Sequence, residues 1–226
     1  MNEKIRGPVK ALVFDLDGTL IDSKKDLVLA VNSTLRALGR EELPSELVAS
    51  YVGSGAPLLI RRALGEAAEP QELDRALKFF LSYYEQHKLD FTRAYPGVRP
   101  ALEQLRGTPM AVLTNKPRNI SVRILEELGL REFFRLIYGG NSFATKKPDP
   151  LGAKTVLAEL AVAASEAVMV GDSEVDVQTA RNAGMISAIV NFGFGKHDRT
   201  SYPADFYLDR MEELLPLFFT DQQRLP

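Results

Sequence analysis

The sequence predicts an α/β protein: a parallel sheet wound with helices and carrying one inserted helical subdomain. Three observations lead there. Short apolar runs at Ala11 to Phe14, Met110 to Leu113, Leu136 to Tyr138, Ala167 to Val170 and Ile186 to Val190 are too short for helices and suit strands buried on both faces. Amphipathic stretches separate most of these runs, and strands alternating with helices imply βαβ units. The region from about Lys24 to Tyr95 breaks the rhythm and holds no convincing strand.

The elements follow in order. The first run stops at Asp15. Asp26 to Leu38 has helical spacing and ends at Gly39; Ser45 to Tyr51 is long enough for a short helix; Ala56 to Leu64 ends at Gly65. Glu72 to His87 completes four helices, and its Phe79, Phe80, Tyr83 and Tyr84 read as packing residues. Tyr95-Pro-Gly-Val98 marks the exit turn. Beyond the second strand, Ile120 to Leu128 is apolar at helical spacing and stops at Gly129; Val175 to Ala183 repeats the pattern and stops at Gly184. Tyr202 to Tyr207 and the tail Leu208 to Phe219 are expected to cover the sheet edge and core. The predicted architecture is a doubly wound, Rossmann-like core of about five strands from residues 1–20 and 96–226, with residues 21–95 inserted as helices.

Composition narrows the function. The 226 residues carry a net charge of −2, 45% hydrophobic and 26% charged residues, which argues against disorder and against a generally basic nucleic-acid binder. With no cysteine, there is no disulfide framework, zinc–thiolate site or thiol nucleophile. No apolar stretch precedes Val9, and the run to Phe14 is too short for a signal peptide or membrane span. A cytoplasmic protein without membrane or obligate protein partner is expected, and the triplets Asn32-Ser-Thr34 and Asn119-Ile-Ser121 then carry no glycosylation meaning.

Four segments carry chemistry. Phe14-Asp15-Leu16-Asp17-Gly18-Thr19 runs a strand into two carboxylates and a glycine, at the strand end where open α/β sheets bind ligands. Such a pair suits Mg²⁺, a hard cation that takes oxygen ligands, and Gly18 permits close backbone approach to an anion. Val170-Gly171-Asp172-Ser-Glu-Val-Asp176 ends a second strand in acid, with Asp176 one helical turn beyond Asp172. Leu113-Thr114-Asn115-Lys116-Pro117 ends a third strand in a hydroxyl able to donate to a phosphoryl oxygen. Lys146-Lys147-Pro-Asp-Pro150 supplies positive charge to offset the carboxylates and a phosphate. Read singly, the last three also suit N-caps, turns and a solvated basic pair.

Together, in this order, the four segments resemble the haloacid dehalogenase superfamily, among its phosphohydrolases with a small helical cap. The resemblance runs from Val9 to about Leu215, and Tyr95-Pro-Gly-Val98, Gly139-Gly140, Lys147-Pro-Asp-Pro150 and Gly171-Asp-Ser173 are most similar to its phosphoglycolate phosphatases. It implies strand order 5-4-1-2-3 and Mg²⁺-dependent hydrolysis of a small phosphate monoester, 2-phosphoglycolate, through an aspartyl-phosphate. It implies Asp15 as nucleophile, Asp17 as acid/base, Thr114 and Lys147 as phosphate-binding groups, and Asp15, Asp172 and the Asp17 main-chain carbonyl as metal ligands, with Asp176 supporting the metal water or the lysine. Dehalogenases of the superfamily lack the second Asp of the first motif, so Asp17 favours phosphoryl chemistry.

The same resemblance makes residues 21–95 a cap that closes over the site. Substrate contacts are then expected from Gly18 and Asn115, from Gly53 and Gly55 in a Gly-rich loop, and from Arg62, whose guanidinium suits a substrate carboxylate. His87 and His197 are assigned no catalytic role. A sugar-phosphate mutase, a pyrophosphatase, and a phospho-acceptor signalling or silent binding protein are the competing readings.

Overall fold

A computed structural model describes residues 9–217; the segment before Val9 and the end of the predicted tail, Phe219 included, lie outside the described residues. Strand β1 (Ala11–Phe14) is followed by β2 (Ile21–Asp22) and the helices α1 (Lys24–Ala37), α2 (Ser45–Ala49), α3 (Ala56–Leu64) and α4 (Pro70–His87). The chain then forms β3 (Arg93–Ala94), α5 (Val98–Gln104), β4 (Met110–Leu113), α6 (Arg118–Glu127), β5 (Leu136–Tyr138) and α7 (Leu151–Leu160). It ends with β6 (Ala167–Gly171), α8 (Glu174–Ala183), β7 (Ile186–Val190), β8 (Phe206–Leu208) and a 3-10 segment at Met211–Leu217.

Six strands form one parallel sheet in the order β5-β4-β1-β6-β7-β8. Numbering the five expected strands in chain order, this is the implied order read from the other edge. The sixth strand, β8, is an addition: Phe206 to Leu208 was expected to cover the edge and instead extends it. A three-residue strand is too short to show a period of two in sequence.

Side chains alternate across the sheet. Leu12, Phe14, Met110, Val112, Val168 and Val170 pack on one face with α5 and α6 through residues such as Leu102 and Ile124. Ala11, Val13, Ala111, Leu113 and Met169 pack on the other with α7 and α8 through Val156 and Ala180. All four residues of β1 are fully buried, as a central parallel strand requires. Helices α1, α3 and α4 contribute Leu27, Leu59 and Phe80 to the first of these clusters, so the inserted helices and that sheet face share one apolar mass. The insertion is entered and left through a two-stranded antiparallel ribbon, β2 against β3, with Ile21 opposite Ala94. Among the described residues no helix is long and apolar enough to cross a membrane.

Candidate active site

The site is built at the carboxyl ends of the central strands. Phe14 pairs with Val170 and with Val112, which sets Asp15 level with Gly171 and Leu113. The ladder continues one step: Asp15 N–H donates to Val170 O at 2.8 Å, and Thr114 N–H to Tyr138 O at 3.0 Å. Asp15, Thr114 and Asp172 thus emerge from three neighbouring strands, each buried.

Carboxylate oxygens of Asp15, Asp172 and Asp176 lie within 4.8 Å of one another. Lys147 enters this group: its Nζ donates to Asp176 Oδ1 at 2.7 Å and lies 2.9 Å from Asp15 Oδ1. The contact to Asp15 is an ion pair without hydrogen-bond alignment, and Asp15 Oδ1 has no hydrogen-bond partner among the described residues. Burial pushes the Asp15 carboxyl up to about 6; Lys147 opposes the shift, while Asp176 and Asp17 add to it. Burial, then Asp176 and Asp15, raise Asp172 well above the usual carboxylate range against the Gly195 N–H and Lys147. Three buried carboxylates share one buried ammonium, a donor set that a divalent cation fits.

The oxygens are divided unequally. Asp176 Oδ1 takes Lys147, and Oδ2 accepts Ser173 Oγ at 2.7 Å and Ser173 N–H at 3.2 Å. Asp172 Oδ2 accepts Gly195 N–H at 2.6 Å, leaving its other oxygen without a protein donor among the described residues. Asp15 and Asp172 therefore have free lone pairs to offer a metal, while Asp176 fixes Lys147 and the start of α8. Gly18 is needed here twice over: its φ of +79° is in the left-handed region, and a Cβ would fall 1.8 Å from Asp172 Oδ2.

Asp17 points elsewhere. Its carboxylate accepts Ser23 Oγ at 2.5 Å and Lys116 Nζ at 3.0 and 3.1 Å. Its side chain is not part of the three-carboxylate group. Asp15, Asp17, Thr114 and Lys116 line one small cavity with Gly53 and Gly55 of the inserted segment. Asn115 also reaches it, but its amide is engaged with protein: Nδ2 donates to Gly53 O at 2.9 Å and Lys147 O at 3.0 Å, and Oδ1 accepts Lys147 N–H. Arg62 does not line the cavity; it is exposed on α3, with Nη1 3.4 Å from Tyr51 O. Helix direction explains this, since α3 turns Leu59 and Ile60 inward and so turns Arg61 and Arg62 outward.

Lys116, Ser23 and Tyr84 received no site role from the sequence. Ser23 lies six residues beyond Asp17 and Lys116 two beyond Thr114, inside a segment already singled out, so a polar group just past a strand end was the available signal. The aromatic residues of α4 divide into two rows: Phe80 stacks on Tyr84 inside, and Phe79 on Tyr83 outside, with Tyr83 on His87.

The comparisons with known proteins agree with this geometry. The haloacid dehalogenase-like hydrolase family matches residues 12–190. A phosphoglycolate phosphatase of Pseudomonas syringae pv. tomato is 41% identical over 217 residues, 92% of this chain and 79% of that protein. One from Neisseria gonorrhoeae is 37% identical over 95% of this chain and 94% of its own. The crystal structure of a predicted phosphoglycolate phosphatase from Haemophilus somnus superposes with a TM-score of 0.89 at 29% identity, covering 94% of this chain and 99% of that one. A family match that takes in Asp15, Thr114, Lys147 and Asp172, with relatives aligned over 92% and 95% of this chain, places the chain among the haloacid dehalogenase-like hydrolases.

Proposed function

We propose that the protein is a Mg²⁺-dependent phosphatase acting on 2-phosphoglycolate, with residues 21–95 serving as a cap over the core. The observation that carries the reading is Asp15: a buried carboxylate, 6% exposed, that lines a small cavity with Thr114 and forms an ion pair with Lys147. The substrate follows from the relatives, which are named phosphoglycolate phosphatases.

In this reading an Asp15 oxygen attacks phosphorus as the bond to the ester oxygen breaks. Asp17 delivers its proton to that oxygen, and the alcohol leaves. Asp17 then takes a proton from a water that attacks the phosphoryl group, the bond to Asp15 breaks, and phosphate departs. Lys147 and the Thr114 hydroxyl neutralise and orient the non-bridging oxygens. Asp15, Asp172 and the Asp17 carbonyl would hold Mg²⁺, which when bound supplies charge neutralisation to the dianionic phosphoryl group.

The test is phosphate release from 2-phosphoglycolate, sugar phosphates, nucleotides and pyrophosphate, with Mg²⁺ and with EDTA. We expect metal-dependent release, with kcat/KM highest for 2-phosphoglycolate. Release from other esters with 2-phosphoglycolate poor would discard the substrate. An isomerised sugar phosphate without free phosphate would establish a mutase instead.

A further inference from the structure

Lys116 is a buried cation in the cavity that the steps above leave unused. It is 6% exposed, on the turn that follows β4. Its Nζ faces the Asp17 carboxylate and donates to Tyr84 Oη at 2.8 Å. Tyr84, from α4, is 1% exposed. Its hydroxyl accepts from Lys116, and its own proton meets no acceptor among the described residues. Burial and Asp17 keep that proton on, pushing the phenol up to about 12 against the pull of Lys116. An ammonium carries three N–H groups, and Asp17 and Tyr84 account for two directions. Among the described residues Lys116 is the only lysine or arginine that lines this cavity, whose remaining wall is largely apolar through Leu27, Val52, Leu59 and Ile120.

We infer that Lys116 and Tyr84 together form a receptor for a carboxylate on the alcohol half of the substrate. The proposal rests on the reading that this cavity receives a phosphate ester, and it assigns the substrate's second charge to named donors. An ion pair with Asp17 alone would need no lone hydroxyl proton beside it. A carboxylate offers two acceptor oxygens, one for the ammonium and one for the phenol. The cation expected from Arg62, which does not line the cavity, is thus supplied by Lys116 of the core.

The experiment compares 2-phosphoglycolate with ethyl phosphate, which lacks the carboxylate, in wild type, Lys116→Met and Tyr84→Phe. The ratio of the two kcat/KM values cancels any general damage through Asp17. It should fall roughly 10- to 100-fold in Lys116→Met and several-fold in Tyr84→Phe, with the loss in KM for the acidic ester. An equal loss on both esters would overturn the proposal and leave Lys116 as a support for Asp17. Calorimetric binding of phosphonoacetate and ethylphosphonate to the Mg²⁺-loaded wild type gives a second readout. A preference for phosphonoacetate of about tenfold or more, lost in Lys116→Met, supports the receptor; no preference overturns it. A wild type that hydrolyses neither ester would defeat the proposed function, and the phosphonate comparison would still decide the receptor.

Discussion

Asp15 is held in an environment that opposes its own ionisation. Its carboxyl sits at about 6 against an ordinary 3.8, chiefly through burial. A carboxyl raised on folding stabilises the fold while protonated; that contribution is complete below about pH 4 and is lost as pH rises through about 6. At pH 8 the metal-free protein therefore carries a penalty of roughly 2–3 kcal/mol at this position. Asp15→Asn should abolish turnover, by about 10⁴-fold or more. The same change should raise the metal-free Tm at pH 8 by roughly 5 °C and leave it almost unaltered at pH 4. Thermal melts in EDTA at the two pH values check this; a Tm that falls at pH 8 would show that the carboxylate is not under strain. Legibility at this scale was uneven. Asp15, Asp17 and Asp172 were readable because each follows an apolar run that can only be a buried strand. Lys116 was not, because nothing local says that a lysine after a strand end will be covered by Tyr84 from a helix more than thirty positions earlier.

Between elements, Asn115 ties the inserted segment to the Lys147 loop. One side chain bonds the Gly53 carbonyl of the inserted segment and both the N–H and C=O of Lys147. Asn115→Ala removes three hydrogen bonds and strands the Lys147 backbone groups, which should cost roughly 2–3 kcal/mol. It should also lower kcat, because Lys147 then reaches Asp15 from a looser loop. Asn115→Asp, which keeps only the acceptor half, should fall between wild type and Ala in urea midpoint; an unchanged midpoint in Ala would remove the tie. The long helices and central strands were legible from spacing and from Gly stops, as at α1 before Gly39 and α8 before Gly184. The β2–β3 ribbon and β8 were not, since two or three residues carry no period and their pairing is decided by partners distant in sequence.

At the scale of the whole molecule, one apolar cluster joins the sheet to the inserted helices. Unfolding should then be a single transition. There is no tryptophan, and four of the seven tyrosines, Tyr51, Tyr83, Tyr84 and Tyr95, lie within residues 21–95, so tyrosine fluorescence is weighted to the insertion whereas far-UV dichroism reports every element. Their urea midpoints should coincide; two separated midpoints would mean that the insertion melts alone. Fold class was legible, because alternating short apolar runs and helices permit few connections; strand order was not readable from that alternation and came only with the family resemblance.

The pairing of β1 also has a meaning in time. Leu12 is made early by the ribosome, yet its neighbours in the sheet are Met110 and Val168. At ordinary rates of synthesis the first of them arrives on the order of ten seconds later. Until then this wholly apolar strand, with Asp15 at its end, has no edge to join. The three-carboxylate group is therefore assembled only when β6 brings Asp172 beside the strand that was born first.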